Sequence, residues 1–468
     1  MLAAVSDVAQ ARSQMGTTLA FHIVFACFGV ALPTVVMLAH YRGLRHGDAD
    51  ALLLARRWSK VMAVLVAVGA VSGTLLSFEM GLLWPGLMGK FGAAIGIPFS
   101  IEGIFFLLEA VFVAIYLFGW DRLAPWWHFW SLLPVAISGI LGAWSVVAAN
   151  SWMNQPTGFR LSHGHVYRID PFAVFFNNAS WYEVPHMVLA AYMVTGFGVA
   201  SVYAVGMLRG RRDRYHRLGL LIPFSVGAIC SPLQIGIGDT AARAIASQQP
   251  AKFAAMEYVL HTRTHVAEYL GGVLLNGRVV GGLRVPDLDS LLVGFSPNTR
   301  LIGLDSVPSA FRPPFPTLIH LSFDLMVAIG FALVFWSAWC AWTWWRRRGL
   351  PTLRRSTTPF LVGVAVSGLA ATLAMEAGWV VTEVGRQPWI VYKVELVSQA
   401  VTTSGGVTFT LAAVLIIYPL LTVATIATLV IMARRWRHGS DASGLGLPYG
   451  PPDESRAPDE PRASGVVR

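Results

Sequence analysis

The sequence predicts an all-α integral membrane protein of about nine transmembrane helices, and three observations carry that prediction. Hydrophobic residues fill 55% of the 468 positions and charged residues only 13%, where a soluble domain carries about a quarter. Stretches 15–41, 61–78, 124–159, 218–238 and 325–345 contain no Asp, Glu, Lys or Arg; uncharged apolar runs of about 18 or more residues read as membrane spans. None of these runs alternates polar with apolar residues, which excludes a lipid-facing β-barrel.

Taken in order, the spans fall near 17–40, 60–82, 98–119, 128–150, 185–208, 218–238, 317–345, 358–379 and 409–433. The opening MLAAVSDVAQARSQMG has no basic cluster ahead of a compact apolar core, so it reads as an amphipathic lead and not as a cleavable signal. Charge then orients the chain. Arg42, Arg45, Arg56, Arg57 and Lys60 flank the first connection, RGRRDRYHR fills 209–217, Arg346–Arg348, Arg354 and Arg355 follow span seven, and Arg434, Arg435 and Arg437 follow span nine. The intervening loops are less basic for their length. The positive-inside rule therefore predicts an outer N-terminus and a cytoplasmic C-terminus.

This divides the chain into helices one to six (1–238), an outer segment (239–316), helices seven to nine (317–438) and a Pro/Gly/Ser-rich cytoplasmic tail (439–468) expected to be disordered. The 239–316 segment is too long for a passive connector, which favours a functional role. Its first part, DTAARAIASQQPAKFAAMEYVL, has a helical pattern. The net charge of +10 lies at span ends, which argues against nucleic acid. No internal repeat supports an inverted-repeat transporter. Cys27, Cys230 and Cys340 form no haem-attachment motif and read as buried small hydrophobes.

Ionisable residues inside spans carry the functional signal, because each costs about 2.5–3.5 kcal/mol at mid-bilayer. Glu102 and Glu109 are seven residues apart on span three, which stacks them on one helix face about 10 Å apart. They suit a proton path or a buried cofactor. Asp324 and Glu376 are lone cases, and Glu79 falls near an outer boundary, where a carboxylate is cheap. His22 and His186 lie within spans; buried neutral imidazole is a usual axial ligand of haem, and Met, here Met326, a common opposite partner. The histidines His40, His128 and His320 fall at span ends, where solvation is the expectation. His22, His186, Met326 and Glu383 all map to the outer half of the membrane.

GWVVTEVGRQPW (378–389), with IEGIFFLLE (101–109), FGWDRL (118–123), ANSWMNQP (149–156), PAKFAAMEY (250–258) and RSQMGTTLAFH (12–22), resembles cytochrome bd oxidase subunit I from the N-terminus to about residue 430. The resemblance implies a quinol:oxygen oxidoreductase with two b-type haems and a third haem, d or b. It implies that His22 and Glu383 ligate the oxygen-reducing pair and that His186 and Met326 ligate the low-spin b haem. Glu102 and Glu109 would serve the proton path, Arg386 and Trp379 would lie beside the haems, and Lys252 and Glu257 would handle quinol in the outer segment. A second membrane subunit and a small single-span one are implied partners.

Three features depart from the family pattern. Asp324 stands where a basic residue precedes the low-spin Met, no Trp follows Glu257, and the outer segment is short, as in the cyanide-insensitive branch. No His cluster suggests copper. Two rivals remain: a b-haem anchor of a quinone-linked dehydrogenase, which would not need Glu383 or the paired glutamates, and a haem-free secondary transporter using the buried carboxylates.

Overall fold

The computed structural model describes residues 2–163, 165–347 and 358–437; the expected tail at 439–468 lies outside them. Among the described residues nine helical segments are long and apolar enough to cross a membrane. They are α1 (Leu2–His46), α2 (Ala49–Leu83), α3 (Pro85–Phe118), the pair α4 (Pro125–Trp130) and α5 (Leu133–Asn154), and then, after a short α6 (Pro171–Phe175), α7 (Ser180–Leu208) and α8 (Arg214–Gln248). After two short helices, α9 (Pro250–Met256) and α10 (Leu288–Gly294), come α11 (Pro316–Arg347) and α12 (Thr358–Gly385); a one-turn α13 (Val397–Ala400) precedes α14 (Val407–Arg437).

Local chemistry sets the boundaries. Asp48 caps α2 by accepting from the Ala51 amide at 3.3 Å, and Asp213 caps α8 through the His216 amide at 2.9 Å. Gly47, at φ 60°, makes the left-handed turn between α1 and that cap. Where 239 was expected to open the outer segment, α8 runs unbroken to Gln248. The Ala-rich stretch carries no breaker there, and Pro250 is what stops it. The third span begins at Pro85, earlier than expected, and bends at Phe91 (φ −121°, ψ 16°) ahead of Pro98.

The loops sort onto two faces. On one, Asp48 receives Arg42 from the end of α1 at 2.9 Å and Arg214 from α8 at 2.6 Å, which ties the 47–48 and 209–213 connections together. On the other, the Gln249 side chain donates to Asn154 O (2.9 Å) and the Thr402 amide to Leu83 O (2.9 Å). The alternation expected from charge is therefore built into the packing. A short hairpin after α5 pairs β1 (Arg160–Ser162) with β2 (His165–Tyr167), and the 249–315 segment on the second face holds two more ladders, β3 (Glu268–Leu270) with β6 (Leu283–Val285) and β4 (Val273–Leu275) with β5 (Arg278–Val280). The last closes through Asn276 and Gly277, both left-handed, as a two-residue hairpin requires.

A central core packs Cys27, Met193, Phe197, Phe224, Leu333, Phe360 and Met375 from α1, α7, α8, α11 and α12. By contrast α3, α11 and α14 bury only 17% of their most apolar windows. Their outward Leu, Ile and Phe side chains face lipid or a neighbouring subunit, since water would penalise so much apolar surface.

Several polar side chains are more buried than their sequence positions suggested. His40, His128 and His320 are fully buried, not solvated. His40 Nδ1 meets Tyr116 OH at 3.0 Å, and His128 Nε2 meets Tyr116 O at 2.7 Å. Glu79 is also enclosed, accepting from Gln14 and Thr18 at 2.9 Å each. These helices extend past the lipid core (α1, at 45 residues, is about 68 Å long), so span ends meet other protein.

Candidate functional site: two cavities and a charged network

The larger cavity, about 1040 Å³, lies between α7, α8, α11 and α12 and opens under the 249–315 segment. His186 and Met326 line it, with Gln234, Trp379, Lys252 and Glu257. One His186 nitrogen is 3.2 Å from the Gln234 amide nitrogen, while its Nδ1, fully enclosed, has no partner among the described residues. Glycines stand beside both candidate ligands: a Cβ on Gly238 would lie 3.4 Å from His186 Cε1, and one on Gly378 would lie 2.9 Å from Met326 Sδ. Imidazole and thioether are the donors a low-spin haem iron takes. Backbones thinned to glycine beside both side chains leave room for such a group.

The second cavity, about 530 Å³, lies between α1, α2, α3 and α5 and is lined by His22, Glu102 and Glu109. Ser72 Oγ lies 3.0 Å from His22 Nδ1 and 3.1 Å from Val68 O. With Ser72 accepting from Nδ1–H, Nε2 keeps its lone pair, the state a metal ligand needs. Gly73 again leaves room, since a Cβ there would meet His22 Cε1 at 2.9 Å. Glu109 is buried and its Oε1 lies against α1 at Gly29, where a Cβ would be 3.5 Å away. Glu102 is half-buried, nearer the rim. Trp379, Val147 and Met187 line both cavities, so one layer of side chains separates them.

Glu383 lines neither of these two cavities. Its carboxylate is gripped on both oxygens, by Arg386 Nη2 at 2.7 Å and Asn150 Nδ2 at 2.6 Å. Arg386 is 4% exposed, so this is a charge-assisted bond in a protected place. From Asn150 the network passes to Asn154 (3.4 Å), which donates to both oxygens of Glu183 at 3.1 and 3.3 Å. Lys252 joins here. Its ammonium reaches Thr382 O at 3.4 Å and feels the charges of Glu183, Arg386 and Glu383. Burial holds its pKa down to about 8, against the opposing pull of Glu183.

Lys252 and Glu257 therefore share the larger cavity but not a contact. Glu257, at the C-terminal end of α9, faces Glu268 on β3 and Asp289 on α10 instead; single carboxylate oxygens of the three lie within 4.8 Å of one another. Burial and mutual repulsion push Glu257 far above the usual carboxylate range and Asp289 up to about 10. Beside them Asp324 accepts from the Gly271 amide and lies 3.3 Å from His320 Nε2, which fastens the hairpins to the first turns of α11 two residues ahead of Met326. His320 stacks on Tyr258 at 3.9 Å.

Sequence reasoning gave no role to Glu183, Asn150, Asn154, Gln234, Glu268 or Asp289. A signal existed for some of them. Glu183 precedes His186 by one helical turn in WYEVPH, and the two asparagines are spaced i, i+4 in ANSWMN, which places each pair on one helix face.

Comparison with known proteins gives the family. Residues 10–437 match the family model described as cytochrome bd terminal oxidase subunit I. The structure titled as the bd oxidase from Geobacillus thermodenitrificans superposes with a TM-score of 0.85 at 35% identity, covering 92% of this chain and 98% of that one. A Bacillus subtilis (strain 168) protein provisionally described as cytochrome bd menaquinol oxidase subunit I is 32% identical over 92% of this chain and 97% of its own length. The Escherichia coli (strain K12) cytochrome bd-II ubiquinol oxidase subunit 1 is 24% identical over 90% and 95%. With the match spanning nearly every described residue, the chain belongs to the cytochrome bd terminal oxidase subunit I family.

Proposed function

We propose that this chain is the haem-bearing subunit of a terminal oxidase that takes electrons from quinol at the outer face and reduces O2 to water. It sits as a multi-pass protein in a bacterial cytoplasmic membrane, N-terminus outside, in complex with a second membrane subunit and, by family resemblance, a small single-span one. The observation that carries this reading is the pair of ligand-bearing cavities parted by a single side-chain layer at Trp379. Such a spacing suits electron transfer between groups held on either side.

When bound, two b-type haems and a third haem, d or b, would supply one-electron carriage and the iron at which oxygen is reduced. His186 and Met326 would hold the low-spin b haem, and His22 and Glu383 the oxygen-reducing pair. Arg386 and Asn150 orient Glu383 through the two bonds described above. Lys252 in the larger cavity offers an ammonium to a quinol oxygen, and Glu257 lines the same cavity. Glu109, nearer the cytoplasmic end of α3, and then Glu102 would pass protons from the cytoplasmic side toward the oxygen-reducing site.

The test is a reduced-minus-oxidised spectrum of the purified complex, with pyridine-haemochrome analysis and quinol-driven oxygen uptake. B-haem bands with oxygen uptake are expected, and a long-wavelength chlorin band would assign the third haem as d. Haem bands without oxygen uptake would move the chain to the anchor of a dehydrogenase. A colourless complex would favour the transporter.

A further inference from the structure

We infer that Glu257, Glu268 and Asp289 form a binding site for a hard divalent cation, Ca2+ being the best fit, that ties the 249–315 segment together. The inference goes beyond the oxidase reading and needs neither haem nor turnover. Its basis is geometric. The three carboxylates are 5%, 5% and 1% exposed, and one oxygen of each lies within 4.8 Å of the others. Two oxygens on opposite sides of a Ca2+ ion, each about 2.4 Å away, are about 4.8 Å apart. Three such donors therefore fit around one ion, with water from the cavity filling the remaining positions.

A second observation points the same way. Glu257 Oε2 and Asp289 Oδ2 are enclosed and have no hydrogen-bond partner among the described residues. Buried carboxylate oxygens are normally satisfied, so both await a donor or an ion. No Lys, Arg or His among the described residues pairs with any of the three. Arg243, which lines the same cavity, pairs with Asp239 at 2.9 Å and lies over the face of Phe295 at 3.9 Å, with its Nη1 enclosed and bonded to none of the three carboxylates. Asp324 adds further negative charge nearby. The surroundings thus supply carboxylate oxygens in excess and no cation paired with the three.

The loop is shaped to deliver these oxygens. Glu257 ends α9, with its amide bonded to Phe253 O at 3.0 Å, and the left-handed Tyr258 (φ 53°) turns the chain away behind it. Glu268 is fixed by the β3–β6 ladder opposite Val285. Asp289 is positioned through its neighbour Ser290, whose hydroxyl accepts from the Val266 amide (2.9 Å) and donates to Thr299 O (3.0 Å). An ion would cross-link three points eleven and twenty-one residues apart in sequence.

The experiment uses the purified oxidase complex, dialysed against metal-free buffer, with and without EGTA and with Ca2+ restored. Metal analysis should find one tightly held divalent ion per complex in the wild type, absent from Glu268→Gln and Asp289→Asn. Limited proteolysis of the 249–315 segment should slow by roughly tenfold at free Ca2+ ten times the dissociation constant. The wild-type response to EGTA stands alone should the variants fail to assemble. A wild-type complex without the ion, with proteolysis indifferent to Ca2+ and EGTA, would overturn the proposal. So would undiminished metal in both variants. Neither readout involves quinol or oxygen, so a failure here is distinct from a failure of the oxidase assignment.

Discussion

Gly378 and Met326 meet so closely that a Cβ on the glycine would stand 2.9 Å from the thioether sulfur. The approach of α12 to α11 at this depth is therefore set by the absence of a side chain, and a Cβ there would push the sulfur from its present place.

Gly378→Ala should accordingly displace Met326. Overpacking of this kind costs about 1–3 kcal/mol. The expected outcome is an assembled complex whose low-spin b-haem band is lost or converted to a high-spin spectrum. Retention of the wild-type α-band would refute the proposed Met326 ligation.

Arg386→Leu should release one oxygen of Glu383 from its 2.7 Å bond. Hydrogen bonds to charged groups are worth about 1.5–3 kcal/mol. Oxygen uptake should fall while the His186/Met326 band is retained, and Arg386→Lys should restore little, because a point charge cannot reproduce the guanidinium fork. Loss of both spectral components together would show a general folding defect instead.

Lys252 gives a pH dependence. Its ordinary value of 10.5 falls to about 8 here, so the ammonium that would hold a quinol oxygen is lost as pH rises through 8. Between pH 7 and 9 its charged fraction drops by roughly tenfold. The KM for quinol should rise by a similar factor while that for oxygen stays level, and Lys252→Met should give a high KM without that slope. Steady-state oxygen uptake at varied quinol would decide, and an unchanged slope in the variant would exclude Lys252 from quinol binding.

Asp324→Asn tests the departure from the family pattern. The carboxylate lies two residues before Met326 and accepts from the Gly271 amide; the amide oxygen of Asn can keep that bond while the charge goes. An anion near a haem stabilises its oxidised form, so the substitution should raise the low-spin midpoint in a redox titration. An unmoved midpoint would mean that solvent or His320 already screens the charge.

Much of the architecture was legible from charge alone. Long apolar runs, five of them carrying no charge at all, located the nine spans, because lipid tolerates so few ionised groups that their absence is conspicuous. The end of α8 was not, since Ala-rich helix reads alike inside and outside a membrane; only Pro250 marks where it stops. Candidate ligands were visible as residue types, His22, His186 and Met326 among them, and the structure lines cavities with all three. Their surroundings were hidden. Lys252 and Glu257 lie five positions, about 140°, apart around α9, so the first meets Glu183 while the second meets the arriving β3. The Glu257, Glu268 and Asp289 cluster joins three segments that no periodicity connects, so proximity could not be read from spacing.

One helix bears more of this than any other. Over nine residues α12 and its end carry the glycine against Met326, the indole between the cavities, the gripped carboxylate and the arginine that grips it. At a rise of 1.5 Å per residue these four share a single ruler. A slip of α12 by one position would mis-set every one of them together, with no intermediate in which one compartment is right and the other wrong. The insertion of this helix in register is thus a checkpoint for the whole redox centre, and a shift of register, unlike a single side-chain substitution, should read out as an all-or-none loss of mature enzyme.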